Sequence, residues 1–573
     1  MRDVQHTVDF CVVGGGMSGL CAAIAAARHG ARVALMHDRP VLGGNASSEI
    51  RMHICGAHGK DLRETGILEE ILLKNHYRNA TCNWSLWDSV LYGAARFEPG
   101  IELLLNCSCQ AADTADGRVT AVSGWQLTTE TRHTVAAELF LDASGDGILA
   151  PLAGAEFRRG REAQAEYGES LAPAQADDRT MGMSCLIQAR DTGRPQAFVP
   201  PAWAHTYRTD EEMHNRGHAI DGTNFWWIEV GGVHDSIHDT EELRDELLKI
   251  ALGVWDHIKN QSDHGAETWE LDWLGFLPGK RESRRYLGDH VLTQDDVRAG
   301  GAFDDLVAYG GWSMDDHHPE GFYYEGAPTI FHEAPSPFGI PYRSLYSRNV
   351  PNLFCAGRNI SATHMAMSST RVMATCAMMG QAVGTAAAMA AHEGVGARAV
   401  YEHHLRALQQ HLLADDCYLP GAVREVAAVS REAGLTAAAG DPEPLRNGVD
   451  RPVDTAENAW SAAPGAHVTY DFGAATNLAQ ARLVFDSDLN RPWRNMPHFV
   501  PREGNYRPVP QALTRAFRLE AKQDGAWQTV CRVDNNVQRL VRLPLGLTAE
   551  AIRLVPESTW GSDYVRVFAF DLS

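Results

Sequence analysis

Asp9-Phe-Cys-Val-Val-Gly14-Gly-Gly16-Met-Ser-Gly19 is the stretch around which this chain is organised. Residues 10–13 form an apolar run that predicts a buried strand, and the Ala-rich residues 20–29 predict a helix. Gly14 permits a tight turn, Gly16 lets a pyrophosphate approach the backbone, and Gly19 lets helix and strand pack closely. The helix N-terminus offers N–H groups and a positive dipole end to phosphate. The stretch therefore predicts a dinucleotide-binding turn.

The end of the second predicted strand, residues 31–36, departs from the usual dinucleotide-binding pattern. An acidic residue normally stands there and accepts from the ribose hydroxyls, but this chain has His37 followed by Asp38. Either Asp38 takes this role from a shifted position or His37 donates to the ribose. We favour Asp38, because a carboxylate accepts from both hydroxyls.

Composition limits the class of protein. A chain of 573 residues is too long for one ordinary core, and its 44% hydrophobic and 22% charged content is typical of soluble globular proteins. The net charge of −22 argues against nucleic acid as a partner. The eleven cysteines form no CxxC pair, and no signal peptide precedes the first strand, so we expect a cytoplasmic protein.

The longest apolar stretch, residues 372–391, has the length of a membrane span. It consists mostly of Ala, Gly, Thr and Met, with Gln381 inside and Arg371 just before it. We therefore predict a tightly packed helix of a soluble protein and no membrane contact.

A His-x-Cys-x-x-His motif, His53 to His58 with Cys55 between them, follows the second strand. This spacing matches no standard zinc pattern, and we predict no metal. One interpretation is a loop that carries polar catalytic groups near a redox ring. A second is a covalent bond from one of these three side chains to a cofactor, and a third is a structural turn.

Two further stretches have the form of turns that approach a dinucleotide. Leu139-Phe-Leu-Asp-Ala-Ser-Gly-Asp-Gly147 ends a predicted β-meander, and Asn352-Leu-Phe-Cys-Ala-Gly-Arg-Asn-Ile-Ser361 leads into the small-residue helix. We expect small residues to bring this helix close to the ring of a cofactor, where its N-terminal dipole stabilises negative charge.

In this order, the three stretches resemble the flavoproteins with two dinucleotide-binding domains. More narrowly, the chain resembles the FAD-dependent oxidoreductase family that is sometimes labelled xanthan-lyase-like. The resemblance covers roughly residues 8 to 421 and has five marks: Pro40-Val-Leu-Gly-Gly-Asn-Ala-Ser-Ser48, His53-Ile-Cys-Gly-Ala-His-Gly59, Pro278-Gly-Lys-Arg-Glu-Ser-Arg-Arg285, Ile340-Pro-Tyr-Arg-Ser-Leu345 and Ala356-Gly-Arg358. It implies FAD as the cofactor and leaves the substrate open.

The stretches and the resemblance assign residues to three roles. The cofactor contacts are expected to be Gly14, Gly15, Gly16, Ser18, Gly19, Asp38, Arg39, Gly44, Asn45, Ser47, Asp142, Ser144, Gly145, Gly357, Arg358 and Ser369. The catalytic candidates are His53, Cys55, His58, His364 and Arg343. The candidate substrate ligands are Arg281, Arg284, His317 and His318. For the arginines and for the histidines beside Pro319, a solvated charged turn is the alternative interpretation.

The predicted fold class is α/β: a Rossmann-like FAD-binding domain with an inserted α+β substrate domain and a C-terminal all-β sandwich. Short alternating strands after residue 446 predict the sandwich, whose pattern resembles galactose-binding, discoidin-type domains. The predicted segments are the FAD-binding parts 1–160 and 336–421, the substrate domain 161–335, a linker 422–446 and the sandwich 447–573.

Three hypotheses of function follow. The leading one is an FAD-dependent enzyme that oxidises a CH–OH group of a saccharide or sugar acid at flavin N5, as part of glycan breakdown, with a histidine as base. The second is a reductase of an activated C=C bond that holds its substrate carboxylate with Arg281, Arg284 or Arg343. The third is a glycan-binding protein with a relict flavin fold. No nicotinamide domain is evident, and the oligomeric state is left open.

Overall fold

The computed structural model describes residues 2–214, 216–261 and 263–573. It separates into two compact units. Unit 1 comprises the residues up to Ala57, Thr81–Leu408 and Trp493–Tyr506. Unit 2 comprises His58–Ala80, Gln409–Pro492 and Arg507–Ser573.

The strands and helices in chain order are as follows. The strands are β1 (Arg2–Val13), β2 (Val33–Met36), β3 (Ile101–Leu104), β4 (Cys107–Ala115), β5 (Arg118–Gln126), β6 (Thr131–Asp142), β7 (Phe157–Arg158), β8 (Met183–Ser184), β9 (Ile187–Asp191), β10 (Glu229–Val230), β11 (Trp269–Leu274), β12 (Gly279–Lys280), β13 (Arg285–Tyr286), β14 (Leu306–Gly310), β15 (Met314–His317), β16 (Thr329–His332), β17 (Phe338–Pro341), β18 (Leu353–Cys355), β19 (Gly434–Ala437), β20 (Trp460–Ala462), β21 (Val468–Phe485), β22 (Thr514–Gln523), β23 (Ala526–Val533), β24 (Leu540–Thr559) and β25 (Val565–Leu572). The helices are α1 (Met17–Arg28), α2 (Ile67–Arg78), α3 (Trp84–Arg96), α4 (Leu149–Ala153), α5 (Gln164–Tyr167), α6 (Thr240–Asp256), α7 (Gln294–Arg298), α8 (His364–Thr370), α9 (Met373–Glu393), α10 (Ala397–Ala399), α11 (Leu405–Ala414) and α12 (Ala428–Glu432).

Unit 1 is built on a sheet in the order β3-β2-β1-β6-β5-β4, with β18 beside β6. The pairs among β3, β2, β1, β6 and β18 are parallel, and β4 and β5 add an antiparallel meander. The unit β1-α1-β2 therefore has the parallel crossover that the glycine turn predicts. Together with the antiparallel C-terminal strands, this confirms the predicted fold class.

Helix α9 packs against α1 through its small residues. A Cβ on Gly380 would lie 2.0 Å from the carbonyl oxygen of Ser18, and a Cβ on Gly384 would lie 2.1 Å from that of Ala22. The small residues therefore bring α9 close to α1. In the described ranges, no single helix has the length and apolarity to cross a membrane, although α8 and α9, bent by 93°, pass these criteria as a pair.

A second core of unit 1 lies in the predicted substrate domain. The small sheets β10-β8-β12 and β11-β9 and helix α6 surround buried side chains that include Trp255 and Val500. Val500 comes from the segment Trp493–Tyr506, which leaves the C-terminal strands between β21 and β22 and joins unit 1. Its backbone bonds to unit 1 include Ala189 N to Val500 O, 3.0 Å, and Asn224 N to His498 O, 3.1 Å.

Unit 2 contains an antiparallel sheet in the order β20-β25-β21-β24-β22-β23, with β19 beside β21. Among the strands that we predict after residue 446, β21 is longer than expected: it runs from Val468 to Phe485, and its pairing with β24 shifts register within this length. The predicted linker 422–446 contains α12 and β19, and the buried Ser430 hydroxyl accepts from Leu572 N at 2.7 Å. This segment is therefore part of the unit rather than a linker.

Candidate active site

A cleft at the carboxyl ends of the parallel strands contains the glycine turn. The cleft encloses about 1290 Å³, including its mouth, and is lined by residues of the first two strand ends, the 143–146 turn and the start of α9. The N-terminus of α1 opens into it, since Gly16 caps this helix without a side-chain hydrogen bond and the first turn carries no acidic residue. Uncapped N–H groups at the positive end of a helix dipole form an anion site.

His37 supports the glycine turn instead of contacting a ribose. The His37 imidazole is buried, its Nδ1 accepts from Gly15 N at 3.0 Å, and its Nε2 donates to Val41 O at 2.9 Å. Burial lowers its pKa to about 4, so the ring is neutral. Because both ring nitrogens are used, His37 has no donor left for the ribose. Asp38 lines the cleft with an exposed carboxylate and keeps the role that we predict for it.

Three buried polar atoms beside the cleft fit an anionic or polar ligand. Among the described residues, Ser18 Oγ, Arg358 Nη1 and Arg371 Nε are buried and have no hydrogen-bond partner. All three residues line the cleft. Buried polar atoms without partners are costly, so these atoms indicate that a polar ligand completes the site.

Arg358 is held in place by Asp146. The Arg358 Nε donates to Gly145 O at 2.8 Å, and both Arg358 and Lys280 form ion pairs with the Asp146 carboxylate. Burial raises the pKa of Asp146, but the charges of Arg358 and Lys280 outweigh it and lower this pKa. The two cations beside one carboxylate leave a positive excess in the cleft, which suits a pyrophosphate.

Most of the predicted cofactor residues line the cleft: Gly14, Gly15, Gly16, Ser18, Asp38, Arg39, Gly44, Asn45, Ser144, Gly145, Gly357 and Arg358. The cleft also contains residues that we did not predict as cofactor contacts: Cys107, Ser108, Cys109, Leu277, Pro278, Lys280, Arg371, Met373 and Cys376. Two of these residues could have been predicted from the sequence. Lys280 is a cation within the motif Pro278–Arg285, and Arg371 is a cation just before the small-residue helix.

Four predicted cofactor residues do not line the cleft. Gly19 provides the close helix–strand contact, since a Cβ there would lie 1.8 Å from Gly14 O. Asp142 is fully buried, and its carboxylate accepts from Leu149 N and Tyr286 Oη, each at 2.7 Å, and from Ser144. Ser369 is buried and donates to Trp312 O, and Ser47 is buried under the 3₁₀ turn. We correct the role of Gly19, Asp142 and Ser369 from cofactor contact to support of the local structure. The buried Ser47 Oγ has no hydrogen-bond partner among the described residues, so its cofactor contact stays a prediction.

His364 is an imidazolium and not the base that we predict. Its Nδ1 lies 2.8 Å from Glu282 Oε2 and its Nε2 lies 3.2 Å from Asp316 Oδ1. Burial lowers its pKa, but the Glu282 charge and the hydrogen bonds to both carboxylates outweigh this and raise the pKa to about 10. At neutral pH both nitrogens carry protons, so the ring cannot accept one.

Arg281 and His317 share one buried carboxylate. Glu229 lies 2.7 Å from His317 Nδ1 and 3.4 Å from Arg281 Nη1. His317 Nε2 lies 3.3 Å from Asp315, and Arg281 also donates to Ser184 Oγ at 2.8 Å. Because Arg281 and His317 already pair with buried carboxylates, the structure does not support them as substrate ligands.

The remaining predicted residues make other contacts. Arg343 is paired with the buried carboxylate of Asp305 at 2.9 Å. Arg284 donates to Asp146 O at 3.3 Å, and His318 stacks on Tyr324 with ring centroids 3.5 Å apart. His58 is exposed and belongs to unit 2. Arg343 is not among the residues that line the cleft of unit 1.

His53 and Cys55 do not line the cleft, but Cys55 contacts the start of α9, whose residues Met373 and Cys376 do line it. Ala374 N in the first turn of α9 donates to Cys55 O at 2.9 Å, and Cys55 Sγ lies 3.3 Å from His53 Nε2. Both residues are buried. Their backbone is thus attached to the same helix end that borders the cofactor cleft.

The segment 493–506 completes this cluster with residues that the sequence analysis missed. Arg494 Nη1 lies 3.3 Å from Cys55 Sγ, and its guanidinium lies over the Trp312 ring at 5.5 Å. The His498 ring lies 5.0 Å from that of His53, and Asn495 Oδ1 accepts from Ile54 N at 2.8 Å. No sequence signal placed them here, because they follow a strand of the C-terminal sheet.

A protein-family model for FAD dependent oxidoreductases matches residues 9–412. The chain belongs to this family. It is therefore an oxidoreductase, and FAD is its cofactor. The predicted resemblance is confirmed, and the glycine turn, Asp38, Arg358 and Lys280 are the residues that would hold FAD in the cleft. No curated protein matches the sequence.

Solved structures with local likeness cover about a quarter of the chain. The family 32 carbohydrate-binding module of Streptococcus pneumoniae EndoD is 18% identical over 25% of this chain and 96% of its own, with a TM-score of 0.19. The family 32 module of C. perfringens NanJ, in complex with galactose, is 11% identical over 26% and 97%, with a TM-score of 0.19. The L-proline dehydrogenase of P. horikoshii is 16% identical over 25% and 24%, with a TM-score of 0.17.

Replacing Arg358 by alanine is expected to weaken FAD binding by about ten- to a hundredfold, because one charge-assisted hydrogen bond to the cofactor is lost. Quenching of flavin fluorescence during titration of the apoprotein measures the dissociation constant. The dissociation constant of FAD for R358K, which keeps the charge, should lie between those of the wild type and R358A. R398A is the control, since Arg398 pairs with Asp289 on the surface of the same unit. Wild-type affinity in R358A would remove Arg358 from the cofactor site.

Proposed function

We propose that this FAD-dependent oxidoreductase oxidises a CH–OH group of a saccharide or sugar acid. The observation that carries the proposal is the cluster of His53, Cys55 and Arg494, which is hydrogen-bonded to the end of α9 that borders the cofactor cleft. When bound, FAD supplies a hydride acceptor for a C–H bond.

His53 has the chemistry that removal of a hydroxyl proton requires. A neutral imidazole is the common proton acceptor of enzymes at neutral pH. The contact of His53 Nε2 with Cys55 Sγ and the packing of the His498 ring restrict its orientation. The other histidine of unit 1 that we predict as catalytic, His364, lies between the carboxylates of Glu282 and Asp316, which hold it protonated.

Arg494 and Trp312 suit a polar substrate with an anionic group. A guanidinium holds a carboxylate through two parallel hydrogen bonds, which a uronic acid offers. The indole beneath it, 5.5 Å from the guanidinium carbon, provides an apolar surface at the same place. A cation, an imidazole and an indole together favour a sugar acid over an apolar alcohol.

The other two hypotheses have less support. The reductase hypothesis needs Arg281, Arg284 or Arg343 to hold a carboxylate. The guanidinium groups of Arg281 and Arg343 are already paired with Glu229 and Asp305, and Arg284 donates to Asp146 O at 3.3 Å. The third hypothesis, a glycan-binding protein with a relict flavin fold, is disfavoured because the chain belongs to the FAD dependent oxidoreductase family. No specific observation favours either one over the oxidation of CH–OH.

The test is to mix the holoenzyme anaerobically with each member of a panel of neutral sugars, sugar alcohols and uronic acids. Reduction of the flavin is measured as loss of the absorption of oxidised flavin. We expect at least one uronic acid or oligosaccharide derivative to bleach the flavin, and we expect R494A to raise KM for the acid more than for a neutral sugar. FAD that dithionite reduces but that no member of the panel reduces would overturn the proposal.

A further inference from the structure

Three histidines and one aspartate meet in the second core region of unit 1, away from the residues that line the cofactor cleft. One ligand atom from each of Asp210, His218, His257 and His264 lies within 4.8 Å of all the others. Asp210 precedes the 3₁₀ turn Glu211–Met213, and His257 is the first residue of the π-helical turn His257–Gln261 that follows α6. Single-turn π segments of this kind are frequent at functional sites.

The ring nitrogens converge on one point. His257 Nε2 lies 3.1 Å from Asp210 Oδ1 and 3.1 Å from His264 Nε2, and His218 Nε2 lies 3.6 Å from the same aspartate oxygen. The three rings lie in mutual contact, with centroids 4.6 to 5.0 Å apart. Nitrogen lone pairs that face one another at this distance repel unless a proton or a cation lies between them.

The outer nitrogens of two of these histidines are fixed by backbone carbonyls. His257 Nδ1 lies 2.9 Å from Tyr207 O, and His218 Nδ1 lies 2.7 Å from Arg216 O. A carbonyl can only accept, so each Nδ1 carries a proton, and in the neutral ring each Nε2 then presents its lone pair to the cluster. Metal-binding histidines have this arrangement, because the outer hydrogen bond sets the tautomer and the ring orientation.

We propose that Asp210, His218, His257 and His264 bind one zinc ion. Three imidazole nitrogens and one carboxylate oxygen give the four N and O ligands that tetrahedral zinc takes, and the absence of a thiolate argues against the softer metals. Four protein ligands leave no open position, so the site is structural. The sequence conceals it, because the spacing from His257 to His264 is longer than that of a zinc finger and the other two ligands lie some forty residues earlier.

The zinc ion would connect the loop that contains Asp210 and His218 to the end of α6. The same loop is bonded to residues 321–326. Arg216, two residues before His218, donates to Gly326 O and Tyr324 O, each at 2.7 Å, and to Gly321 O at 2.9 Å. Zinc binding at this cluster does not depend on the identity of the substrate or on bound FAD.

The experiment is metal analysis of the full-length protein without a polyhistidine tag, after incubation with zinc and dialysis against metal-free buffer. We expect about one zinc per chain in the wild type, and near-complete loss in H257Q and in H264Q. H238Q is the matched control, because His238 is an exposed histidine of the same region that pairs with Asp235. Cobalt added to the zinc-free protein should give the intense visible absorption of a tetrahedral site.

The proposal is overturned if the wild type holds no zinc after dialysis, or if H264Q holds as much as the wild type. A weak cobalt spectrum of octahedral type would overturn it as well. If H257Q fails to fold, H264Q decides, since His264 lies in a partly exposed loop and its replacement leaves the buried His257 in place. Normal FAD content with lost zinc would show that the two sites are independent.

Discussion

Asparagine in place of His53 slows reduction of the bound flavin by the saccharide substrate by about a hundred- to ten-thousandfold, which is the usual contribution of a general base. The substitution removes the proton acceptor beside the start of α9, while the cofactor cleft keeps its glycine turn, Asp38 and Arg358. Stopped-flow absorption under anaerobic conditions measures the rate of reduction. The FAD content of the purified variant should equal that of the wild type.

Two comparisons make the test of His53 specific. H403Q replaces an exposed histidine of the same unit and should leave the rate unchanged. C55S keeps the imidazole but removes the thiol, and we expect a smaller loss than in H53N. Acid precipitation addresses the covalent alternative: flavin that stays with the wild-type pellet but not with the H53N pellet would make His53 an attachment site. An unchanged rate in H53N would place the base elsewhere.

The cofactor cleft was largely predictable from the sequence, because its parts are local. A strand, a glycine turn and a helix within twenty residues specify their own geometry, and the stretch ending in Gly357-Arg358 does the same. The errors in the cleft also have a local origin. Asp142 lies in a turn that borders the cleft, but its carboxylate accepts hydrogen bonds from Leu149 N and Tyr286 Oη. Tyr286 belongs to a strand that is distant in the sequence.

The reactive end of the site was less predictable, because its surroundings come from distant segments. His364 looks like a base in the sequence, yet Glu282 and Asp316 reach it from two other strands and loops and keep it protonated. Arg494 and His498 follow β21 of the C-terminal sheet and give no sign of joining unit 1. The zinc-ligand set is spread over segments for the same reason. Long-range packing, not local propensity, decides these roles.

The charge on His364 makes the stability of this enzyme fall as the pH rises above neutral. The pKa of His364 is about 10 in the folded protein and near 6.5 when the chain is unfolded, so the folded state binds one more proton between these values. The stabilisation is fully present below pH 6.5 and is lost as the pH rises through 10. Over this window it amounts to on the order of 5 kcal/mol, with a slope of at most about 1.4 kcal/mol per pH unit.

Urea unfolding of the wild type and of H364Q at several pH values from 6 to 10 measures the contribution of His364, as the difference between their free energies of unfolding. We expect H364Q to be less stable at pH 6, because the carboxylates of the buried Glu282 and of Asp316 lose the imidazolium and Glu282 then pairs with Arg285 alone among the described residues, and we expect the difference in stability to narrow steadily toward pH 10. H403Q should track the wild type throughout. A gap that stays constant across this range would mean that His364 is neutral in the folded enzyme, and it would return His364 to the list of candidate bases beside His53.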